Sequence, residues 1–276
     1  TSMTDENGYT TYYEYDAEDN LLKETDPLGY NITYTYTPDG RIATMTDKNG
    51  YTTTYNYNVL LDMIEEVVDP LGYRETSIYD ANGNLVEFID KNGHITAYVY
   101  DEEDRMVMSI DAYGHEESMV YDNVGNVIKA TDKNGHERRY VYDALNRKIK
   151  SIDPLDNAEE YVYDAEGNLI KKVNRRGYAT EYTYDERGRK TQEKNALGGI
   201  RRYAYDDDGN LISETDENGY ETTYEYDLRD RLLNEIDPLG HKTSHTYDAA
   251  GNEISTTDAN GLTTHYEYDA LRRVVK

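Results

Sequence analysis

Polar and apolar positions alternate along this chain in short runs, and the runs are separated by clusters of Asp, Asn, Gly and Pro. The stretch from Gly219 to Asp237 is typical. Tyr220-Glu221-Thr222-Thr223-Tyr224-Glu225-Tyr226 has a period of two, and a polar stop follows, Asp227-Leu228-Arg229-Asp230-Arg231. A second run, Leu232-Leu233-Asn234-Glu235-Ile236, leads into the closing Asp237-Pro238-Leu239-Gly240. Tyr- and Thr-rich segments with this alternation are strand signatures, and neither run has the length or period of a helix. Each unit therefore predicts one β-hairpin, with both connections short enough to join antiparallel neighbours.

The unit recurs along the chain. Tyr stands at Tyr15, Tyr36, Tyr57, Tyr79, Tyr100, Tyr121, Tyr142, Tyr163, Tyr184, Tyr205, Tyr226, Tyr247 and Tyr268, at intervals of 21 residues except for 22 between Tyr57 and Tyr79. Asp follows each of them except where Thr37 and Asn58 stand. Of the 20 glycines only Gly199 falls outside the two turn columns, and all 5 prolines lie in turns. Gly supplies the positive φ of a tight turn, and Pro does no harm where no N–H is needed. The fold expected is all-β: a single array over residues 1–276 of about thirteen tandem antiparallel hairpins in one continuous sheet. So many strands cannot stay flat, because strand twist makes a wide sheet coil, close or split. A coiled or spiral sheet follows, a tube or shell segment, and repeats at both termini suggest a fragment of a larger repeat protein. The extra residue of the longer unit is read as a β-bulge between Met63 and Asp69.

Residues two apart in a strand share a face. Tyr also stands two positions before the repeat Tyr in every unit except those with Ser77, Met119 and His245, so one side of the sheet carries most of the 31 tyrosines. The face reads as a structural tyrosine ladder with its rings stacked in rows; an aromatic platform for sugars is the functional alternative. A third column, seven residues after the repeat Tyr, runs from Leu22 to Val275 and is apolar except at Thr191. It is expected on the tyrosine face. The column before it, interrupted by Lys148, Lys190 and Glu253, suits the wetter face. Closing turns tend to alternate between Asp-x-Asn-Gly (Asp47 to Gly50) and x-Pro/Ala-Leu-Gly (Asp69 to Gly72, Asn195 to Gly198), broken at Asp111-Ala112-Tyr113-Gly114 and Asn174-Arg175-Arg176-Gly177, through either duplication or two inequivalent environments.

Composition removes several classes of function. With no Cys there is no disulfide framework, thiolate metal site or thiol nucleophile. A net charge of −27 disfavours nucleic acid and anionic membranes as partners, and no apolar run is long enough for a membrane-spanning helix. Carboxylates recur with the repeat, whereas catalysis requires one constellation with split pKa values; no catalytic residue, cofactor or metal ligand is assigned. Two weaker metal signals compete with ordinary turn chemistry. His94, His115 and His136 follow turn glycines at repeat spacing, and turns such as Asp206-Asp207-Asp208-Gly209-Asn210 cluster oxygens that suit calcium. Asp, Asn and Gly are, however, what tight turns use in any case.

The assembled motif resembles the YD-repeat, or RHS-repeat, family. Tyr163-Asp164-Ala165-Glu166-Gly167-Asn168-Leu169 and Tyr205-Asp206-Asp207-Asp208-Gly209-Asn210-Leu211 carry its signature, as does Thr215-Asp216-Glu217-Asn218-Gly219 leading to Tyr226-Asp227. The resemblance implies a non-enzymatic module of a large extracellular or cell-surface protein, such as a bacterial polymorphic toxin, wall-associated protein, toxin-complex shell or teneurin. In that family the repeats form a spiralling sheet around a hollow shell, often enclosing a toxin. Partners implied are neighbouring repeats or further copies, an enclosed toxin or a surface glycan; an adhesive or fibre-forming module, binding carbohydrate or calcium, is the alternative. The family's self-cleavage motif, Asp-Pro-x-Gly-Leu, is only partly matched: Asp26-Pro27-Leu28-Gly29 runs on into Tyr30.

Overall fold

The computed structural model describes residues 1–275, and every regular element in it is a β-strand. Among the described residues there are 26 strands, two per repeat, in an antiparallel sheet. The chain divides into two compact units, Thr1–Glu137 and Arg138–Lys276. In the first, β1 (Ser2–Thr4) pairs with β2 (Thr10–Tyr15), β2 pairs with β3 (Leu21–Thr25), and pairing continues in chain order. The second unit follows the same rule, and its last pairing joins Glu253–Thr257 to Thr263–His265. Each hairpin is thus bonded to the hairpins before and after it within its unit.

Register decides which side chains meet. Between Glu221–Tyr226 and Leu232–Ile236, Tyr224 faces Glu235, Glu225 faces Asn234, and Tyr226 faces Leu232. The register shifts between Glu225 and Tyr226, which leaves Leu233 as a bulged residue. The same shift recurs in hairpin after hairpin, from Glu14/Tyr15 to Thr246/Tyr247.

This bulge overturns the placement of the third column. Outside the long third repeat, where the seventh residue, Ile64, faces Tyr57, the residue opposite the repeat Tyr is the sixth after it (Leu21, Ile42, Leu85, Met106), and the seventh is the extra one. In the one repeat where the seventh is polar, the Thr191 hydroxyl donates to the Thr183 carbonyl at 3.2 Å and lies 3.4 Å from the Thr183 hydroxyl. Thr183 points away from Tyr182 and Tyr184, its neighbours in the strand. One inserted residue is enough to move a side chain to the other face.

The long third repeat is a second correction. Tyr57 faces Ile64 with the usual shift at Asn56/Tyr57, so this hairpin carries no additional bulge. The extra residue lengthens the turn instead. The Asn58 amide bonds the Met63 carbonyl at 2.8 Å, one residue further on than in a normal turn such as Asp16 to Asn20.

No hydrophobic side chain is buried among the described residues; the residues that are buried are Asp26, Asp153 and Ser255. Within each unit strands contact only their neighbours in the chain, so the sheet there is a single layer. What holds it together must therefore lie in the contacts between successive strands.

Candidate functional site

The junctions between repeats concentrate the structured chemistry, and they begin with the turns. Asp227 Oδ1 accepts the backbone amides of Arg229 at 2.8 Å and Arg231 at 3.1 Å. In the closing turn Asp216 Oδ1 accepts those of Asn218 at 2.8 Å and Tyr220 at 2.9 Å. One carboxylate so satisfies two amides in each kind of turn, while Gly219, at φ 87°, supplies the left-handed residue. Hydrogen bonds to the charged form hold these carboxyls low. The Arg231 guanidinium, followed by the turn amides, brings Asp227 to about 2, and the Tyr220 amide leads the same effect on Asp216.

The repeat tyrosines tie each repeat to the one before. Each hydroxyl donates to the carbonyl 15 residues earlier: Tyr36 to Leu21, Tyr57 to Ile42, Tyr79 to Ile64, Tyr100 to Leu85 and Tyr121 to Met106, at 2.8–3.0 Å. In the second unit Tyr163, Tyr184, Tyr205, Tyr226, Tyr247 and Tyr268 do the same to Lys148, Leu169, Lys190, Leu211, Leu232 and Glu253, at 2.7–3.0 Å. Tyr15 and Tyr142 occupy the equivalent strand positions opposite Leu21 and Lys148. Burial raises the pKa of Tyr36, Tyr100, Tyr184, Tyr226 and Tyr247, which keeps those hydroxyls protonated donors.

Stacking of ring on ring is not how the column is built. Repeat tyrosines stand on every second strand, about 9.6 Å apart at the usual strand spacing, beyond the ~7 Å limit for aromatic pairs. In the neighbouring tyrosine column, two residues earlier in each strand and equally spaced, lysines fill the interval. Lys190 Nζ lies 5.8 Å from the Tyr182 ring and 4.6 Å from the Tyr203 ring, and Lys148 bridges Tyr140 and Tyr161 at 5.5 and 5.7 Å.

The most specific junction residue is the fifth after the repeat Tyr. Arg231 donates through Nε to Asp227 Oδ2 at 2.8 Å and through Nη1 to the Asp248 carbonyl of the next turn at 3.1 Å. Its guanidinium carbon sits 4.7 Å from the centroid of the Tyr247 ring. Arg105, Arg147 and Arg189 repeat this arrangement on Tyr121, Tyr163 and Tyr205 at 4.8, 4.9 and 4.8 Å. In alternate repeats Asn replaces Arg. Asn84 Nδ2 bonds its own Asp80 at 3.1 Å and reaches Asp104 of the next turn at 2.7 Å; Asn210 treats Asp206 and Asp230 alike at 3.1 and 2.9 Å. Hydrophobic columns do not reveal these residues, but the signal is in the chain: Asn84, Arg105, Asn126, Arg147, Asn168, Arg189, Asn210, Arg231, Asn252 and Arg273 alternate without a break. Replacing Arg231 by Met is expected to lower the melting temperature, and Lys will not restore it. An ammonium cannot hold the Asp227 carboxylate and the Asp248 carbonyl while lying flat on Tyr247. Thermal unfolding of the two variants checks this.

The two kinds of closing turn differ in role. Lys48, Lys91 and Lys133 reach back to Asp26, Asp69 and Asp111 of the preceding turn at 2.8, 3.1 and 3.0 Å, and Arg175 lies 3.4 Å from Asp153. At these four junctions a cation-giving turn follows an acid-giving one, whereas Asp216-Glu217-Asn218-Gly219 and Asp258-Ala259-Asn260-Gly261 have no cation at that position. His94, His115, His136 and His241 each place Nδ1 at 2.9–3.3 Å from the Asp that heads their own turn. Among the described residues no three His, Asp or Glu side chains are gathered as for a metal.

An antiparallel hairpin array of this kind, tied at its junctions by Tyr hydroxyls and turn Asp carboxylates, defines the class of YD repeats. Residues 62–215, more than half of the chain, match the teneurin YD-shell, and residues 1–30, 15–52, 205–242 and 247–276 match the RHS repeat. The chain belongs to the teneurin YD-shell family. Among solved structures, a Photorhabdus luminescens Tc holotoxin pore bearing a TccC3 mutation superposes with a TM-score of 0.76 at 17% identity, over 99% of this chain and 19% of that one. A TcdB2–TccC3 complex gives 0.71 at 16% identity, over 98% of this chain and 18% of that one. At such identity the likeness is one of fold, and the chain spans about a fifth of the length of those proteins. No curated protein matches it.

Proposed function

We propose that the chain is a wall segment of a β-sheet shell in a large secreted or cell-surface protein, where it encloses or displays another domain such as a toxin. The tyrosine column from Tyr15 to Tyr268 is its structural ladder, and the segment carries out no reaction of its own. The observation that carries this reading is the single layer with no buried apolar side chain among the described residues. A globular domain is stabilised by what it buries between layers. Here stabilisation comes from bonds between neighbouring hairpins, so length can be added without a new core and both faces stay available. Family membership and the likeness to the Tc structures support a shell wall in particular.

Electron cryomicroscopy of the protein that carries these residues tests the proposal. The expected image is a hollow particle with these hairpins in its wall and another domain inside or displayed on it. A solid filament of stacked copies, or sheets packed face to face without a lumen, would overturn the shell and leave an adhesive or fibre-forming module.

A further inference from the structure

We infer that two junctions, Asn20–Gly40 and Asn168–Gly188, are receptor sites for the guanidinium group of an arginine presented by a partner. The inference rests on the junction geometry and not on the shell reading.

Apart from the long third repeat, where Met63 Sδ would lie 3.7 Å from a Cβ built on Gly83, three junction arrangements matter here. In the first the chain's own Arg lies on the next repeat's tyrosine, as Arg231 does on Tyr247 at 4.7 Å. In the second an Asn bonds across to an Asp of the next turn, as Asn84 does to Asp104 at 2.7 Å and Asn210 to Asp230 at 2.9 Å. The third kind has neither. Asn20 and Asn168 bond Asp16 and Asp164 of their own turns, both at 2.9 Å, and the position across from them holds Gly40 or Gly188 with no side chain to meet. A Cβ built on Gly188 would lie 3.5 Å from Asn168 Oδ1, so a side chain there would enter the gap.

Open grooves of about 660 and 790 Å³ occupy these two junctions. Corresponding residues line them although they belong to different units: Asp16, Glu18 and Tyr36 in one, Asp164, Glu166 and Tyr184 in the other. Each presents what Arg231 uses in its own junction, namely a turn carboxylate, the next tyrosine ring and a turn carbonyl. That carbonyl, on Thr37 or Asp185, accepts a single turn amide, from Gly40 at 2.9 Å or Gly188 at 3.0 Å, and has a second lone pair to offer. Arg187 borders the second groove but sends its guanidinium to the Asp207 carbonyl at 2.5 Å. The fold thus builds the same receptor repeatedly, fills the copies of the Arg231 kind from within, and presents these two to an external occupant. A planar guanidinium fits the combination of ring face, carboxylate and carbonyl better than an ammonium does.

The test is a titration of the full chain with L-argininamide, followed by amide nuclear magnetic resonance shifts, with L-lysinamide as the comparison. Saturable shifts are expected for residues 35–40 and 183–188, smaller for lysinamide, and absent where Arg41 and Arg189 already cover Tyr57 and Tyr205. Two variants close the grooves with opposite changes of charge. Asn20→Arg with Asn168→Arg supplies an internal guanidinium, and Gly40→Asp with Gly188→Asp installs the cross-turn partner seen at Asp104 (φ 59°). Both should abolish saturation. Shifts that grow linearly and spread over all acidic turns, or binding that strengthens in the Gly→Asp variant, would show diffuse attraction to the net charge of −27 and overturn the inference.

Discussion

Tyr226→Ala should destabilise the array by about 2 kcal/mol, and Tyr226→Phe by about 1 kcal/mol. The Ala variant removes a ring that fills the space opposite Leu232 as well as the hydroxyl that donates to Leu211 at 3.0 Å. The Phe variant keeps the ring and leaves the Leu211 carbonyl without its tyrosine donor. Because stability in such arrays passes mainly between nearest neighbours, the damage should be local. Amide hydrogen exchange is expected to accelerate around residues 211–236 while repeats several junctions away keep their protection. The same pair of variants separates a structural ladder from a sugar platform. A platform needs ring faces and would survive Phe, whereas the ladder loses its tie to the preceding repeat.

Lowering the pH below 3.8 should unfold the protein steeply. The turn aspartates have folded pKa values below the ordinary 3.8, as with Asp16, Asp80, Asp143, Asp164 and Asp216, and Asp227 is brought to about 2. A group depressed in this way stabilises the fold fully above its unfolded pKa and loses that contribution as pH falls toward the folded value. With such a carboxylate at the head of nearly every turn, the losses coincide. Tyrosine gives the opposite limit. Burial raises Tyr36, Tyr184 and Tyr226 above the ordinary 10.0, so their contribution is complete below that pH and is lost as pH rises through the folded values. Circular dichroism melts across the pH range should show a plateau bounded near 3.8 and beyond 10.0. Stability that instead rises below 3.8 would mean that relief of charge repulsion outweighs the turn bonds.

The hairpins and both turns were legible in the chain because Tyr, Asp and Gly recur where strand alternation and positive φ demand them. Register was not. Leu21 and Leu22 are equally apolar, and nothing in the string of residues says which one faces Tyr15; the bulge decides that, and it is a property of pairing. Lys148 and Lys190 misled for a related reason. A hydrophobic reading assigns lysine to water, yet these two stand opposite Tyr142 and Tyr184, with their ammonium groups against neighbouring tyrosine rings. Their stems can cover apolar surface while the charge finds a π face. The Asn/Arg alternation was present in plain view, but its meaning depends on a bond that crosses to the next turn, which no single repeat contains.

The pairing of each hairpin with the next in a fixed register underlies all of this, and engineered disulfides measure it most directly in a chain that has no cysteine of its own. Ser213 and Thr223 face each other across the closing turn between two repeats, while Thr222 faces Glu214 and points to the opposite side. Cysteines at 213 and 223 should close to a disulfide under mild oxidation with the strand spectrum unchanged, and cysteines at 213 and 222 should stay reduced. A bond at 213 and 222, or at neither pair in folded protein, would contradict the register and with it the junctions described above.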